Sequence, residues 1–525
     1  MLKLLGIAIG ILVVVSPASG LTTEALLDTL QHTSFNFFWN EANPSNGLIK
    51  DRSTPGSPCS IASVGFGLSA ICTGVEHGWI TREQARQRVL TTLQTFWNGP
   101  QGNGASGFIG YKGLYYHFLD MNTAVRTWAC EVSTIDSALL FAGMLDAKQY
   151  FSQDEPTEIQ IRALADSIYH RADWEFFRNG NFGILMGWKP GTQFAGFGPW
   201  YGYNEAMIMY ILALGSPTHP VPQYCWQAWT STYDWLTYYG YTYVNFPPLF
   251  GHQYSHCWID FRGLQDPYMR TKGIDYFENS RRATLAQRAY CMANPGGFTG
   301  YAADCWGLTA CDGPWGYNAR GAPPAQNDDG TIAPTAAASS IPFAPAEVIP
   351  TLHHFYDVHG ANLWGPYGFK DAFNLTVGWW GPDYIGIDEG PICIMIENYR
   401  TNGIWNRFME NENIRNGLIR AGFSGLVDAP EPSAPAPAAP AVLLPAAPNP
   451  FGESTEIRFE LAAAGPVLLT VTDVAGREVA RLADGTLPAG PHARSLRGGR
   501  LASGVYYVNL RTAGHTVRQP CVLLR

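Results

Sequence analysis

Residues 139–145 and 207–214 read Leu-Leu-Phe-Ala-Gly-Met-Leu and Met-Ile-Met-Tyr-Ile-Leu-Ala-Leu. A helix built from either is apolar on nearly every side, so it must be enclosed by other helices rather than lie on a surface. Neither run approaches the roughly 20 apolar residues that span a bilayer. Helical periodicity recurs at 82–96, 135–151, 159–177, 206–214, 226–238, 281–293, 346–359 and 391–409, and no alternating strand pattern appears between 22 and 425. Buried helices and amphipathic ones, separated by long loops rich in Gly, Trp, Tyr and Asn, fit an all-α toroid of paired helices. Its inner helices would begin at one rim, where the loops would line a cleft.

The chain is 525 residues long, too many for one ordinary core. Residues 1–20 open with Lys3, run through apolar residues 4–15 and end in Ala18, Ser19 and Gly20, the pattern of a signal peptide. Residues 426–448 are dominated by Ala and Pro, which build no core and act as an extended spacer. The spacer therefore separates a large domain, 21–425, from a tail, 449–525. In the tail, short β-type runs at 455–461 and 467–473 alternate with turn glycines Gly465, Gly476, Gly490 and Gly504, which predicts a small Ig-like β-sandwich.

A net charge of −9 excludes a basic nucleic-acid-binding face and disfavours polyanionic substrates. Aromatic residues make up 13% of the chain, with 17 Trp and 26 Tyr, against 15% charged residues. Sugar rings stack their C–H faces on such side chains, so a glycan ligand is expected. Among ten cysteines, Cys305 and Cys311 bracket a turn-rich run and are the expected disulfide pair, while Cys72, Cys130 and Cys393 sit in apolar segments as buried thiols. No CxxC spacing appears among the cysteines, and no metal or other cofactor is expected.

Cleavage of a glycosidic bond takes two carboxyl groups, one protonated and one ionised. Three segments place carboxyls at helix entries. Glu131 and Asp136 lead into the apolar helix at 139–145, where Ser133 to Asp136 also has the form of a capping box. Glu205 opens the helix at 206–214 behind the aromatic loop Trp200, Tyr201, Tyr203 and Asn204, which can desolvate it and raise its pKa as a general acid requires. Asp388 and Glu389 precede Pro391 and read as caps, with Glu397 and Arg400 as an i,i+3 ion pair. Asp328-Asp329-Gly330 reads as a turn.

Several runs together resemble the glycoamylase-like domain that includes bacterial endo-β-1,2-glucanases: Ile61 to Gly67, Ser133 to Leu139, Gly202 to Glu205 with Ser216 to Pro220, Cys305 to Thr309, Asp371 to Asn374, and Ile396 to Arg400. The resemblance implies an (α/α)6 barrel and inverting hydrolysis of β-1,2-linked glucose, with catalytic carboxylates at Asp136 and Glu205; Trp200, Tyr201, Tyr203, Asn204 and Trp306 are the expected sugar contacts. The glucanase pattern has Glu where this chain has Asp136 and an acidic residue at Ser133; Glu131 is the neighbouring carboxyl. In the tail, Asn449 to Phe451, Thr455 to Phe459, Asp473 to Arg477 and Leu501 to Tyr506 resemble the C-terminal sorting domains of type IX secretion cargo, related to the Ig-like domain of flagellar hook-capping proteins. That resemblance implies a secreted or surface-attached protein that engages the secretion machinery. The expected function is a secreted glycoside hydrolase on a neutral β-glucan. The alternatives are a non-catalytic glycan-binding protein and a polysaccharide lyase on the same toroid.

Overall fold

A computed structural model describes residues 21–426 and, with short breaks, 441–524. The expected signal peptide, 1–20, and most of the expected spacer lie outside the described residues. The chain divides into two compact units, Met1–Leu426 and Val427–Arg525.

The first unit is a helical toroid. Helix Ile61–Glu76 packs on Thr134–Tyr150, which packs on Met207–Gly215. Met207–Gly215 meets the 3-10 turn Tyr254–Cys257, which packs on Gly386–Thr401, and Gly386–Thr401 returns to Ile61–Glu76. The short helix Pro334–Ala338 lies against Gly386–Thr401, and Gln253 joins it to the preceding turn by donating from Nε2 to the Ala336 carbonyl at 2.8 Å. Every residue of Met207–Gly215 is buried, as the apolar run demands. At roughly 1.5–3 kcal/mol per large side chain removed from water, this inner layer supplies much of the driving force for closure. Around it lie Thr23–Asn40, Arg82–Asn98, Pro156–His170, Tyr276–Ala293, Pro345–Leu363 and Glu412–Ala421.

Ile61–Glu76 and Thr134–Tyr150 cross at Gly65 and Gly143, where a Cβ on either glycine would overlap backbone of the opposite helix. Neither residue could be larger at this spacing. Cap chemistry sets several helix starts. Ser133 accepts from the Asp136 amide, and Thr81 with Gln84 completes a reciprocal capping box.

Several expected elements differ. The segment expected as one helix over 226–238 is a helix, Tyr224–Thr230, followed by a hairpin of Trp235–Tyr238 and Tyr241–Val244. Tyr239 and Gly240 both have positive φ, the requirement of a two-residue hairpin turn, and the flanking aromatic and Thr residues favour strand. The run 159–177 is split into Pro156–His170 and Trp174–Arg178. The last helix begins at Gly386 rather than Pro391, so Pro391 lies inside it and Asp388 and Glu389 sit in its first turn without capping it. Arg400 pairs with Asp28 at 2.6 Å and not with Glu397, whose carboxylate bonds His77 and Thr401.

All ten cysteines are free and buried, which corrects the expected Cys305–Cys311 disulfide. Cys305 closes a bridge with Ala302 and joins the core beneath the outer helices, whereas Cys311 pairs with Asn318 in a separate ladder. Asp329 is occupied by the fully buried Arg320, and Asp328 accepts from Tyr290 and Tyr301.

The second unit is built of two antiparallel sheets around one apolar core. One orders Ala441–Leu443, Ser454–Leu461 and Gly490–Arg497; the other orders Glu478–Leu487, Gly465–Thr472, Gly504–Thr512 and His515–Leu523. Phe451, Ile457, Phe459, Leu469, Val471 and Leu510 are among the residues that fill the space between them.

Candidate active site

Four inner helices start at the same place. Ser60, Ser133, Glu205 and Ile385 stand immediately before or within two residues of the helices beginning at Ile61, Thr134, Met207 and Gly386, and all four line one cavity of about 810 Å³. The backbone N–H groups of these first turns leave that rim without intrahelical partners and give it a positive potential, which favours carboxylates there.

One wall carries a tight ionic cluster. His117 places Nδ1 3.0 Å from Glu131 Oε1 and Nε2 3.6 Å from Asp136 Oδ1. The hydroxyl of Ser133 donates to Asp136 Oδ2 at 2.5 Å, while the same oxygen accepts from the Asp136 amide. The chain geometry that permits this is local: the His117 amide donates to the Glu131 carbonyl, and Val132–Ser133 pairs with Gly187–Trp188, so the helix begins only after Glu131 has been turned toward the cavity. Burial works against a charge on His117, but Asp136 and Glu131 outweigh it and push the imidazolium up to about 9. Burial likewise opposes the charge of Glu131, and the His117 bond holds its carboxyl below the ordinary carboxylate range all the same. This wall therefore presents a cation between two acids at neutral pH.

Glu205 stands apart from that cluster. Burial, with a smaller contribution from the charge of Asp136, pushes its carboxyl up to about 7. Its backbone carbonyl accepts from Ser255, which fixes the residue at the entry of the Met207–Gly215 helix. Trp200 lines the cavity beside it, held by a 3.1 Å bond from its indole N–H to the Thr134 hydroxyl.

A second acidic pair lies behind the same chamber. Asp371 and Asp388 are both buried and face each other, and burial together with mutual repulsion raises both carboxyls. Asp371 Oδ1 and Asp388 Oδ2 are buried without a hydrogen-bond partner, which accords with a pair that favours its protonated forms. Asp388 acts electrostatically on Tyr254 and Tyr317, which line the cavity. Arg52 closes the rim between the walls through Asp312 at 2.9 Å and Asp51 at 3.2 Å.

Glu131, Asp136, Glu205 and Trp200 are thus brought together on one chamber. The other expected sugar contacts are not on its wall. Trp306 is fully buried in the outer core, because its segment packs beneath Pro345–Leu363 rather than reaching the rim. Tyr203 is buried against Tyr233, His252 and Tyr276. Asn204 spends its side chain on the turn, accepting from the Ala206 amide and the Trp229 indole. Tyr201 is exposed but is not part of the lining.

Several lining residues were not anticipated. His117 sits in the run Leu-Tyr-Tyr-His-Phe, an aromatic stretch that a search centred on carboxyls passes over. Trp128, 67% exposed and held at positive φ, projects over the cavity beside Phe118. Asp388 was legible as an acid at a helix entry, but not as half of a buried pair, since Asp371 comes from a distant loop.

Residues 198–412 match the Glycoamylase family model, described as "Putative glucoamylase". The chain is 34% identical over 433 residues to an exo β-1,2-glucooligosaccharide sophorohydrolase (non-reducing end) from Parabacteroides distasonis; the match covers 76% of this chain and 58% of that relative. Among solved structures, a putative glucoamylase from Bacteroides uniformis superposes with a TM-score of 0.72 at 39% identity, over 78% of this chain and 99% of the other. An endo-β-1,2-glucanase from Chitinophaga pinensis, in complex with sophorotriose and glucose, superposes with a TM-score of 0.72 at 30% identity, over 78% of this chain and all of the other. The match spans 58% of the sophorohydrolase but 99% and 100% of the two solved structures, at 39% and 30% identity, and the chain belongs to the glycoamylase-like family of glycoside hydrolases.

Proposed function

We propose that this chain hydrolyses a neutral β-glucan, β-1,2-linked, by general acid and general base catalysis with inversion. The observation that carries the proposal is the opposed tuning of carboxyls on one chamber: Glu205 is held protonated toward neutral pH, while Glu131 is held ionised. The β-1,2 linkage is supported by the substrates named for the Parabacteroides and Chitinophaga relatives.

Glu205 donates its proton to the glycosidic oxygen as the bond from that oxygen to the anomeric carbon breaks. A water attacks the same carbon from the opposite face and loses a proton to Asp136. Asp136 is assigned as the acceptor: Ser133 holds its Oδ2 at 2.5 Å, and its Oδ1, 3.6 Å from His117, makes no full hydrogen bond and is left for water. Trp128, Trp200, Phe197 and Tyr254 offer ring faces to the sugars, and no cofactor is required.

Reducing-sugar release with product sizing on β-1,2-glucan tests the proposal. Oligosaccharides from the wild type, and none from Glu205→Gln or Asp136→Asn that still bind the glucan, are the expected result. Inertness toward β-1,2-glucan with turnover of another neutral glucan would remove the linkage assignment, and inertness on all would favour a glycan-binding role.

We further propose that the protein is secreted, with residues 449–525 as a type IX sorting domain of Ig-like fold. The apolar run at 4–15, the two-sheet construction of the tail and its separateness from the toroid support this reading. Mass spectrometry of the exported protein tests it, since a mature form starting near residue 21 is expected.

A further inference from the structure

No short sequence motif joins Cys305 to His354 and His359, but the fold assembles them as one set of soft and borderline ligands away from the cavity. Cys305, His354 and His359 offer ligand atoms that all lie within 4.8 Å of one another. The two histidines come from the outer helix Pro345–Leu363, and Cys305 comes from a turn locked by the Ala302–Cys305 bridge. None of the three lines the catalytic chamber.

The side chains do not satisfy one another as an ordinary core would. Nε2 of His359 is buried and has no hydrogen-bond partner. The His359 ring is walled by Phe373 at 5.5 Å and Trp380 at 5.7 Å between ring centres, so its partnerless nitrogen sits in an apolar shell. His354 places Nδ1 3.2 Å from Asp304 Oδ2. A carboxylate that accepts a hydrogen bond from the Nδ1–H of a histidine fixes the tautomer and leaves Nε2 as a free lone pair, the usual support behind a metal-bound imidazole. One thiol and two imidazoles are the donor set of zinc rather than of calcium or magnesium, which take oxygen.

We propose that Cys305, His354 and His359 bind a divalent transition-metal ion, zinc in the first instance, with Asp304 orienting His354. Around a tetrahedral zinc, ligand atoms stand about 3.5 Å apart, so the cluster contracts by about 1 Å on binding, within reach of side-chain torsions. His354 is part-exposed, which gives the ion a path in and leaves the fourth position to water. The site ties the Cys305 turn to the outer layer. Because the same segment continues to Ala310 and Tyr317 on the cavity wall, the ion would steady one edge of the chamber without touching substrate.

The test uses the full chain without a histidine tag, stripped by chelator and titrated with cobalt(II) and then zinc. The expected result is one equivalent of cobalt with a thiolate-to-cobalt charge-transfer band in the near ultraviolet, bleached by one equivalent of zinc, and a higher Tm with zinc. Cys305→Ser should lose the band while Cys311→Ser keeps it. His354→Ala, a change at a part-exposed ring, should weaken cobalt binding at least tenfold even if Cys305→Ser folds poorly. Absence of the band in the wild type, or its persistence in Cys305→Ser or undiminished affinity in His354→Ala, would overturn the assignment.

Discussion

Replacing Glu205 by Gln should abolish turnover and, at the same time, stabilise the fold at alkaline pH. The carboxyl titrates near 7 instead of the 4.5 of a free glutamate, because burial penalises its anion. A folded-state pKa above the unfolded one means that the folded chain binds more protons between those values, so stability falls as pH rises from about 4.5 to 7 and stays low above. The full displacement corresponds to about 3 kcal/mol; since the group opens onto a cavity that water enters, about 1–2 kcal/mol is the expected effect. Gln keeps the shape and does not titrate. Urea unfolding followed by tryptophan fluorescence reads the toroid alone, because all 17 tryptophans precede residue 427. The variant and the wild type should be equally stable near pH 4, and the variant more stable by the stated amount at pH 8. A stability difference that does not change between pH 4 and 8 would refute the claim that Glu205 is held protonated, whatever the variant's activity.

The His117 pair should show a second window. Its pKa near 9 lies above the ordinary 6.5, so its stabilisation is complete below 6.5 and is lost as pH rises through 9; His117→Gln should flatten the unfolding profile between pH 7 and 10 by up to about 2 kcal/mol and reduce kcat. Trp200→Ala should raise KM on β-1,2-glucan about tenfold through lost stacking of about 1.4 kcal/mol, whereas Trp306→Phe should lower Tm and leave KM unchanged. Gly143→Ala forces a methyl into the backbone of the Ile61–Glu76 helix and should cost about 1–3 kcal/mol or more, measured by the same urea titration.

The toroid was legible because Met207–Gly215 and Thr134–Tyr150 are apolar beyond what any surface helix tolerates, a signal carried by each segment alone. The site was legible where chemistry and helix entry coincide in one short run, as at Glu205 and at Glu131 with Asp136. What escaped depends on distant partners. Nothing within 305–311 reveals that Cys305 faces a helix 50 residues on rather than Cys311, and nothing near Trp306 reveals that its loop is covered. Asp388 has a local reading as a cap, and only the return of the Asp371 loop turns it into half of a carboxyl pair. The hairpin at 235–244 was hidden by aromatic residues whose spacing suits a helix as well as a strand, with the decision made by the backbone of Tyr239 and Gly240.

The distribution of charge around the chamber suits an acidic rim to the uncharged glycan proposed as its substrate. Were every carboxyl ionised and unpaired, bringing a neutral, apolar-faced substrate into the cavity would strip water from each charge in turn. Instead, His117 is shared by Glu131 and Asp136, Arg52 joins Asp51 and Asp312, and burial with mutual repulsion holds Asp371 and Asp388 toward their protonated forms. Glu205 is the lining carboxyl left without a paired cation, so burial, with a smaller contribution from the charge of Asp136, favours its protonated form. Filling the chamber with sugar removes the remaining water and raises its pKa further, which makes the acid form more abundant in the complex than in the free protein. The alkaline limb of the pH profile should consequently lie higher for kcat than for kcat/KM. Coincident limbs would show that substrate does not desolvate Glu205 and that the proton donor is elsewhere.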